Sequence, residues 1–226
     1  MTPTTLSPPT GAASSEAGNG PGPTADLHAV LDAGLVCHLG VVVDGAPRVL
    51  PTGYGRIGDT LYLHGSTGAR SLREAGGDAE VCVAVTHVDG VVYSRSAFHF
   101  SVNYRSAVVH GRARLVTDPD ERLAGLRALT EHLAPGSWEH VRRPDTKELA
   151  KTAVLALSLG EASVKVRSGG ANDDAEDIAA NAAWAGVLPL RAQWGEPEPN
   201  HDLPEDFAVP AHVPNRRPPA PGGTTP

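Results

Sequence analysis

Phe98-His99-Phe100-Ser101-Val102-Asn103-Tyr104-Arg105-Ser106-Ala107-Val108-Val109-His110-Gly111-Arg112-Ala113 reads as a long strand with one charge out of place. Side chains of a strand alternate between its faces, so Arg105 and Ala107 share one face while Tyr104, Ser106 and Val108 share the other. Arg105 is the odd residue of an apolar strand, where a charge without a partner is costly. It calls for an anion, either an acid on a neighbouring strand or a bound ligand. Asn103, Tyr104 and Ser106 add further donors beside it.

Upstream, Leu35–Val43 and Arg48–Tyr54 flank Asp44-Gly45, a pair that tolerates positive φ and so signals a hairpin. Gly58-Asp59 then turns the chain into Thr60–His64, giving a three-stranded meander. The run His64-Gly65-Ser66-Thr67-Gly68-Ala69-Arg70 leaves that strand and enters a helix predicted over Thr67–Ala75, anchored by Leu72. Glycines let a backbone approach an anion closely, Ser66 and Thr67 offer hydroxyls, and Arg70 offers a forked pair of charged donors. An ordinary strand-to-helix turn with a solvated Arg70 fits the same residues.

The remaining elements follow from local signals. Leu27, Val30, Leu31 and Leu35 make one helical stripe capped by Thr24 or Asp26. Glu80–Val88 and Val91–Ser94 read as two strands joined by a turn at Asp89-Gly90. Tyr104–Val116 is the longest strand. Asp118-Pro119-Asp120-Glu121 opens a helix with a capping box, and Leu123, Leu126, Leu129 and Leu133 give it an apolar face. Asp145–Lys151 reads as a short helix, Val154–Leu159 and Ser163–Arg167 as strands, and Glu176–Ala183 as a last helix. Many short antiparallel strands with inserted helices predict a mainly β fold, a small Greek-key barrel. There is no Gly-x-Gly-x-x-Gly after a strand, which argues against a Rossmann dinucleotide site.

Composition bounds the domain and its partners. Fourteen of the twenty prolines fall in residues 1–24 and 196–226, segments poor in large apolar residues. Both read as disordered tails around one folded domain at 25–195. The formal net charge is −7, and the domain itself, with seventeen bases and twenty acids, carries −3. That balance argues against a nucleic-acid partner. Cys37 and Cys82 lie in apolar runs, no secretory leader is recognisable and no apolar run is long enough to span a bilayer. These features predict buried free thiols, a cytoplasmic location and no membrane span. The cysteine spacing gives no metal site.

The two quoted stretches, with Ala162–Arg167 and Trp184–Pro189 after them, resemble the flavin-binding split-barrel family. The similarity is to the branch related to pyridoxamine 5'-phosphate oxidase and nitroimidazole-reductase-type proteins. It covers about residues 25–190 and implies a split β-barrel homodimer binding one FMN per subunit at the dimer interface. By motif match, the FMN phosphate falls to Ser66, Arg70, Arg105 and Ser106, with Tyr104 alongside. The ring falls against Pro51, Thr52, Gly53 and Tyr54, whose backbone amides would meet its pyrimidine edge. Two departures stand out. Ala69 takes the place of a second phosphate-site base, and the C-terminal substrate segment of pyridoxamine 5'-phosphate oxidase has no counterpart, which argues against vitamin B6 oxidation.

The implied activity is a flavin-dependent oxidoreductase acting on a small-molecule substrate, with the protein supplying orientation and electrostatics. His64, ending a strand beside the phosphate turn, is the candidate catalytic residue, as a donor to flavin or substrate or as a proton relay. A merely packed or capping His64 is the plain alternative. His99, between Phe98 and Phe100, suits a pocket lining or a heme ligand, since some distant split-barrel relatives use heme. Trp184 suits a lid over the ring from a partner subunit, or a simple pin for the last helix. Two other readings keep the fold: a non-catalytic flavin- or heme-binding storage protein, and a deazaflavin-dependent reductase. The long polyanionic tail of a deazaflavin asks for more bases than Arg70 and Arg105 supply.

Overall fold

The computed structural model describes residues 23–204 and 206–216. The expected N-terminal tail, apart from Pro23 and Thr24, lies outside them, as do the last ten residues. In chain order the elements are α1 (Pro23–Ala33), β1 (Val36–Val43), β2 (Ala46–Ile57), β3 (Thr60–Ser66), α2 (Arg70–Ala75) and β4 (Gly77–Tyr93). They continue with β5 (Ser101–Leu115), α3 (Pro119–Leu133), α4 (Thr146–Lys151), β6 (Thr152–Ser158), β7 (Glu161–Arg167), α5 (Ala175–Ala180) and β8 (Gly186–Pro189).

The strands form one antiparallel sheet in the order β7-β5-β6-β3-β2-β1-β4-β8, and a further pairing of β4 with β5 closes it into a ring. This is a mainly β split barrel. The split lies in β5, which pairs with β7 along Tyr104–His110 but with β6 only at Arg114 and Leu115. Six strands close the barrel, while β7 and β8 extend the β4–β5 ribbon beyond it.

Alternation decides which face is inside. Cys37, Leu39, Val41 and Val43 of β1, Val81, Val83 and Val85 of β4, and Ala107 and Val109 of β5 point into one core with Leu61, Leu63, Leu155 and Leu157. Helix α1 plugs one end with Leu27, Val30 and Leu31. Carbonyls at its C-terminal end, those of Val30 and Leu31 in the helix and of Gly34 just past it, meet three side chains. The Tyr54 hydroxyl donates to Leu31 at 2.5 Å, His87 Nε2 lies 2.9 Å from the Val30 oxygen, and His132 Nε2 lies 2.6 Å from the Gly34 oxygen. Helix α3 lies across β2 and β3 so closely that a Cβ at Gly55 would stand 2.4 Å from the Ala128 carbonyl carbon. Gly125 meets the Tyr62 ring in the same contact.

Several local expectations change. Asp89-Gly90 is not a turn: β4 runs through it as a seventeen-residue strand with a register shift between Val88 and Gly90. The Asp89 side chain is held by Arg105 on β5, and Gly90 meets β8 on the other side. Local turn chemistry is thus overridden by pairing on both edges. Asp118 does cap α3, accepting from Glu121 N–H at 2.8 Å, but the Glu121 carboxylate bonds Arg114 and Tyr62, so the capping box is only half made. The complete box is at α4, between Asp145 and Glu148. The described C-terminal stretch returns to the end of α3. His212 stacks on His140 with ring centroids 4.3 Å apart, and Arg216 lies over Trp194.

Candidate functional site

The outer face of the barrel carries the candidate site. In β1 the outward side chains are Val36, His38 and Val42, and β2 sets Pro51 opposite His38 and Gly53 opposite Val36. Strands β2 and β3 pair from Ile57–Thr60 up to Tyr54–Leu63. Beyond that pair β2 keeps only β1, and His64–Ser66 of β3 pair only with β6. The sheet opens there, so the backbone edge of Pro51–Gly53 that faces β3 has left the ladder. A Cβ on Gly53 would point into open space. A flat ring with polar edges meets backbone on such a surface without a clash.

His64 stands beside this opening. The protein around it pushes its pKa below the ordinary histidine value, through desolvation, although its ring keeps contact with solvent. It is therefore neutral at pH 7, with one nitrogen lone pair to accept a proton or bind a metal. Among the described residues neither His64 nor His38 has a hydrogen-bond partner. His38 was missed in the sequence; only its alternation with buried Cys37 and Leu39 and its register with Pro51 mark it. By contrast, the Tyr54 ring is core, 1% exposed, so only its backbone is available to a ligand.

The turn expected to hold a phosphate has a different local form from the one predicted. Helix α2 begins at Arg70, three residues later than predicted. Ser66 Oγ accepts from Gly68 N–H at 3.1 Å, Thr67 N–H donates to the Lys151 carbonyl, and Ala69 N–H donates to the Ser66 carbonyl. Gly65 is glycine because Leu72 of α2 lies over it: a Cβ would stand 2.7 Å from Leu72 Cδ1. Arg70 forms an ion pair with Asp44 of the β1–β2 turn, and both side chains remain 58% exposed. Ser66 and Arg70, at the two ends of this turn, are both exposed to solvent and open to an anion.

Arg105 is different. Its Nε and Nη2 donate to the two Asp89 carboxylate oxygens at 2.8 and 2.9 Å, and its side chain is only 13% exposed. The acid on the neighbouring strand is the partner present. Ser106 and Tyr104 face outward, Ser106 between Thr86 and Lys165 in register and Tyr104 between Val88 and Arg167. A single chain does not gather the four predicted phosphate residues. Ten residues of β5, roughly 33 Å of extended strand, separate Arg105 from Leu115, and it is Leu115 that lies near the end of α2, at Gly76.

Trp184 is also remote from the opening. It stands 69% exposed at the far end of the β4–β5 ribbon, its ring 5.6 Å from Tyr93, in an open hollow with Arg95 and Asn181. His99 lies in the same region, with Nε2 3.2 Å from Asp174 Oδ2. Among the described residues no three His, Cys, Asp or Glu side chains cluster as a metal site, and no helix is long and apolar enough to cross a membrane. Both cysteines are free.

The pyridoxamine 5'-phosphate oxidase family model matches residues 23–166. No curated protein matches the chain. Among solved structures, the flavocytochrome Anf3 from Azotobacter vinelandii is 39% identical, covers 85% of this chain and 89% of its own, and superposes with a TM-score of 0.80. An FAD and heme binding protein from Mycobacterium smegmatis is 40% identical over 84% of this chain and 92% of its own, with a TM-score of 0.79. A putative 5-nitroimidazole antibiotic resistance protein from Bacteroides thetaiotaomicron, 18% identical over 62% of this chain and 81% of its own with a TM-score of 0.54, shares the fold. A family model spanning most of the barrel and two structures followed along more than four-fifths of the chain agree: the protein belongs to the pyridoxamine 5'-phosphate oxidase family.

Proposed function

We propose that the protein is a flavin-dependent oxidoreductase that carries FAD and heme. The observation that carries this reading is the pair of structures at 39% and 40% identity, a flavocytochrome and an FAD and heme binding protein. They favour FAD over the FMN expected from the motifs. The residues of the opening suit a flavin: Gly53 leaves the β2 surface flat, Pro51–Gly53 present a released backbone edge, and Ser66 and Arg70 offer donors to a phosphate. They suit heme through His38 and His64, neither of which is committed to a hydrogen bond among the described residues.

The flavin supplies hydride or single-electron transfer, and the heme single-electron transfer. The chain binds and orients. Backbone N–H groups near Gly53 would offer a bound flavin donors for developing negative charge. Neutral His64 would accept or return a proton beside a bound flavin. The working unit is a homodimer. Exposed Val36, Val42 and Val49 on the outer face want cover, and a second copy is the means of bringing Arg105 and Ser106 toward a phosphate held on Ser66 and Arg70. We place the protein in the cytoplasm, where its two free thiols are stable, with a small molecule as substrate.

The test is the absorption spectrum of the purified protein, before and after incubation with FAD and with hemin. A flavin double band together with a heme Soret band supports the full reading. Flavin bands alone, with hemin leaving free-hemin spectra, remove the heme. A protein that takes up neither contradicts both.

A further inference from the structure

From Arg191 to Arg216 the described residues form neither helix nor strand, yet the chain stays on the domain. It returns to the C-terminal end of α3 and is held there at two points. At the first, Arg216 closes the stretch on itself, its guanidinium 4.2 Å from the Trp194 ring centroid. The same guanidinium donates to the Leu133 carbonyl, at a helix end that favours a cation. At the second, His212 fills a notch over Gly136. A Cβ on Gly136 would stand 3.0 Å from His212 Cβ, and φ there is +83°, so glycine is needed on both counts. His212 Nε2 lies 3.2 Å from Ser137 Oγ, and the His140 ring lies against His212 with centroids 4.3 Å apart. His212 Nδ1 is buried and has no hydrogen-bond partner among the described residues.

A proton works against both anchors. Arg216 sits by His132, the residue before Leu133. Burial holds His132 below its ordinary value; the Gly34 carbonyl and Asp32 pull it up, while Arg216 and Arg56 push it further down. Arg56 and Asp32 are paired with each other. Arg216 is thus the one of these charges brought by the C-terminal stretch. Proton uptake by His132 and docking of Arg216 therefore oppose each other, and the coupling is reciprocal. At the other anchor, a charged His212 would carry an N–H at Nδ1 with no acceptor. Charge on both stacked rings would drive them apart. The carboxylates of this turn are committed: Glu131 accepts from the Gly136 and Trp138 N–H groups, and Glu139 pairs with Arg127 and Arg143.

We propose that residues 191–216 are a clasp that opens in mild acid, when His132 and the His140–His212 stack take up protons. Histidine is the side chain whose charge changes between pH 5 and 8. For His132 the sign follows from its lowered value: closure is fully supported above about pH 6.5 and loses support as pH falls. The clasp covers the joint between α1 and α3, where His132 meets the Gly34 carbonyl. That joint reaches the candidate site. The His132 ring lies 4.6 Å from the Tyr54 ring, and Tyr54 follows Gly53 in β2. Opening the clasp frees the joint without melting the barrel. The device is independent of which cofactor the opening takes.

The test is amide hydrogen exchange of the full chain at pH 7.5 and pH 5.5, corrected for the intrinsic rate at each pH. The Val213 and Asn215 N–H groups donate to the Pro210 and Ala211 carbonyls, so they report the closed clasp. The expected result is about a tenfold fall in their protection at pH 5.5, with Val83 and Val85 of the barrel unchanged. Arg216→Ala should lower their protection already at pH 7.5. His132→Gln, which leaves the Gly136 notch intact, should reduce the fall at pH 5.5, and His132→Gln with His212→Phe should reduce it further. Wild-type protection that is equal at the two pH values would overturn the clasp. So would an equal fall in clasp and barrel, which is general unfolding. Full protection in Arg216→Ala, or a fall undiminished in both histidine variants, would overturn it as well.

Discussion

Arg105 and Asp89 face each other across β5 and β4 in a two-bond ion pair, 2.8 and 2.9 Å long, with the arginine side chain 13% exposed and the aspartate 24%. This one relationship explains two features. It satisfies the charge that stands out in an apolar strand. It also holds Asp-Gly inside a continuous strand where a turn was expected. Removing one partner of a largely buried pair leaves the other charge uncompensated. Asp89→Ala is expected to destabilise the fold by about 3 kcal/mol, read as a lower urea midpoint. Replacing both residues with apolar ones should recover most of that loss. A midpoint unchanged in Asp89→Ala would show that water already shares the arginine.

Gly55 sets the seat of α3. A methyl group there would overlap the helix backbone, 2.4 Å from the Ala128 carbonyl carbon, and neither strand nor helix can yield cheaply. Gly55→Ala should cost about 1–3 kcal/mol and loosen the α3 contact, seen as faster amide exchange along α3. Gly53→Ala, two residues away on the open side, should leave stability nearly unchanged. If the two variants behave alike, the close helix–sheet contact is not the reason for glycine at 55.

Acid should loosen α1. His132 is held below its ordinary value of 6.5 by burial, only partly offset by its bond to the Gly34 carbonyl. A neutral histidine favoured by the fold means that the unfolded chain binds more protons below that value. The stabilisation is complete above about pH 6.5 and fades as pH falls toward the lowered folded value. His64, lowered by desolvation, adds in the same direction. Urea midpoints should fall between pH 7 and pH 5, and the slope should be shallower in His132→Gln. An equal slope in that variant would move the effect to other groups.

The parts of the fold legible in the sequence were those set by local chemistry. Asp44-Gly45 and Gly58-Asp59 made their turns, and Asp118-Pro119 and Asp145 started their helices. What was not legible depended on partners far away in sequence. Asp89-Gly90 carries the same turn signal as Asp44-Gly45, and only pairing with β5 and β8 separates them. Strand β8 is four residues long and exists because β4 offers it an edge. At the site, Ser66 and Arg70 lie four residues apart in one strand-to-helix turn. Arg105 shared their chemistry but not their place, because strand length along β5 sets the distance. His38 had no motif at all and emerged from register alone.

The central claim is that Ser66 and Arg70 beside the Pro51–Gly53 opening form a flavin phosphate site. Both side chains lie outside the core, so their loss should not disturb folding. The most direct measurement is the Kd of the apoprotein for FAD, compared with Ser66→Ala, Arg70→Ala and the double variant. Each charge-assisted bond is worth about 1.5–3 kcal/mol, so Arg70→Ala should weaken binding by about tenfold or more and the double variant by more still, with unchanged urea midpoints. Wild-type affinity in the double variant would contradict the account and move the phosphate elsewhere on the barrel.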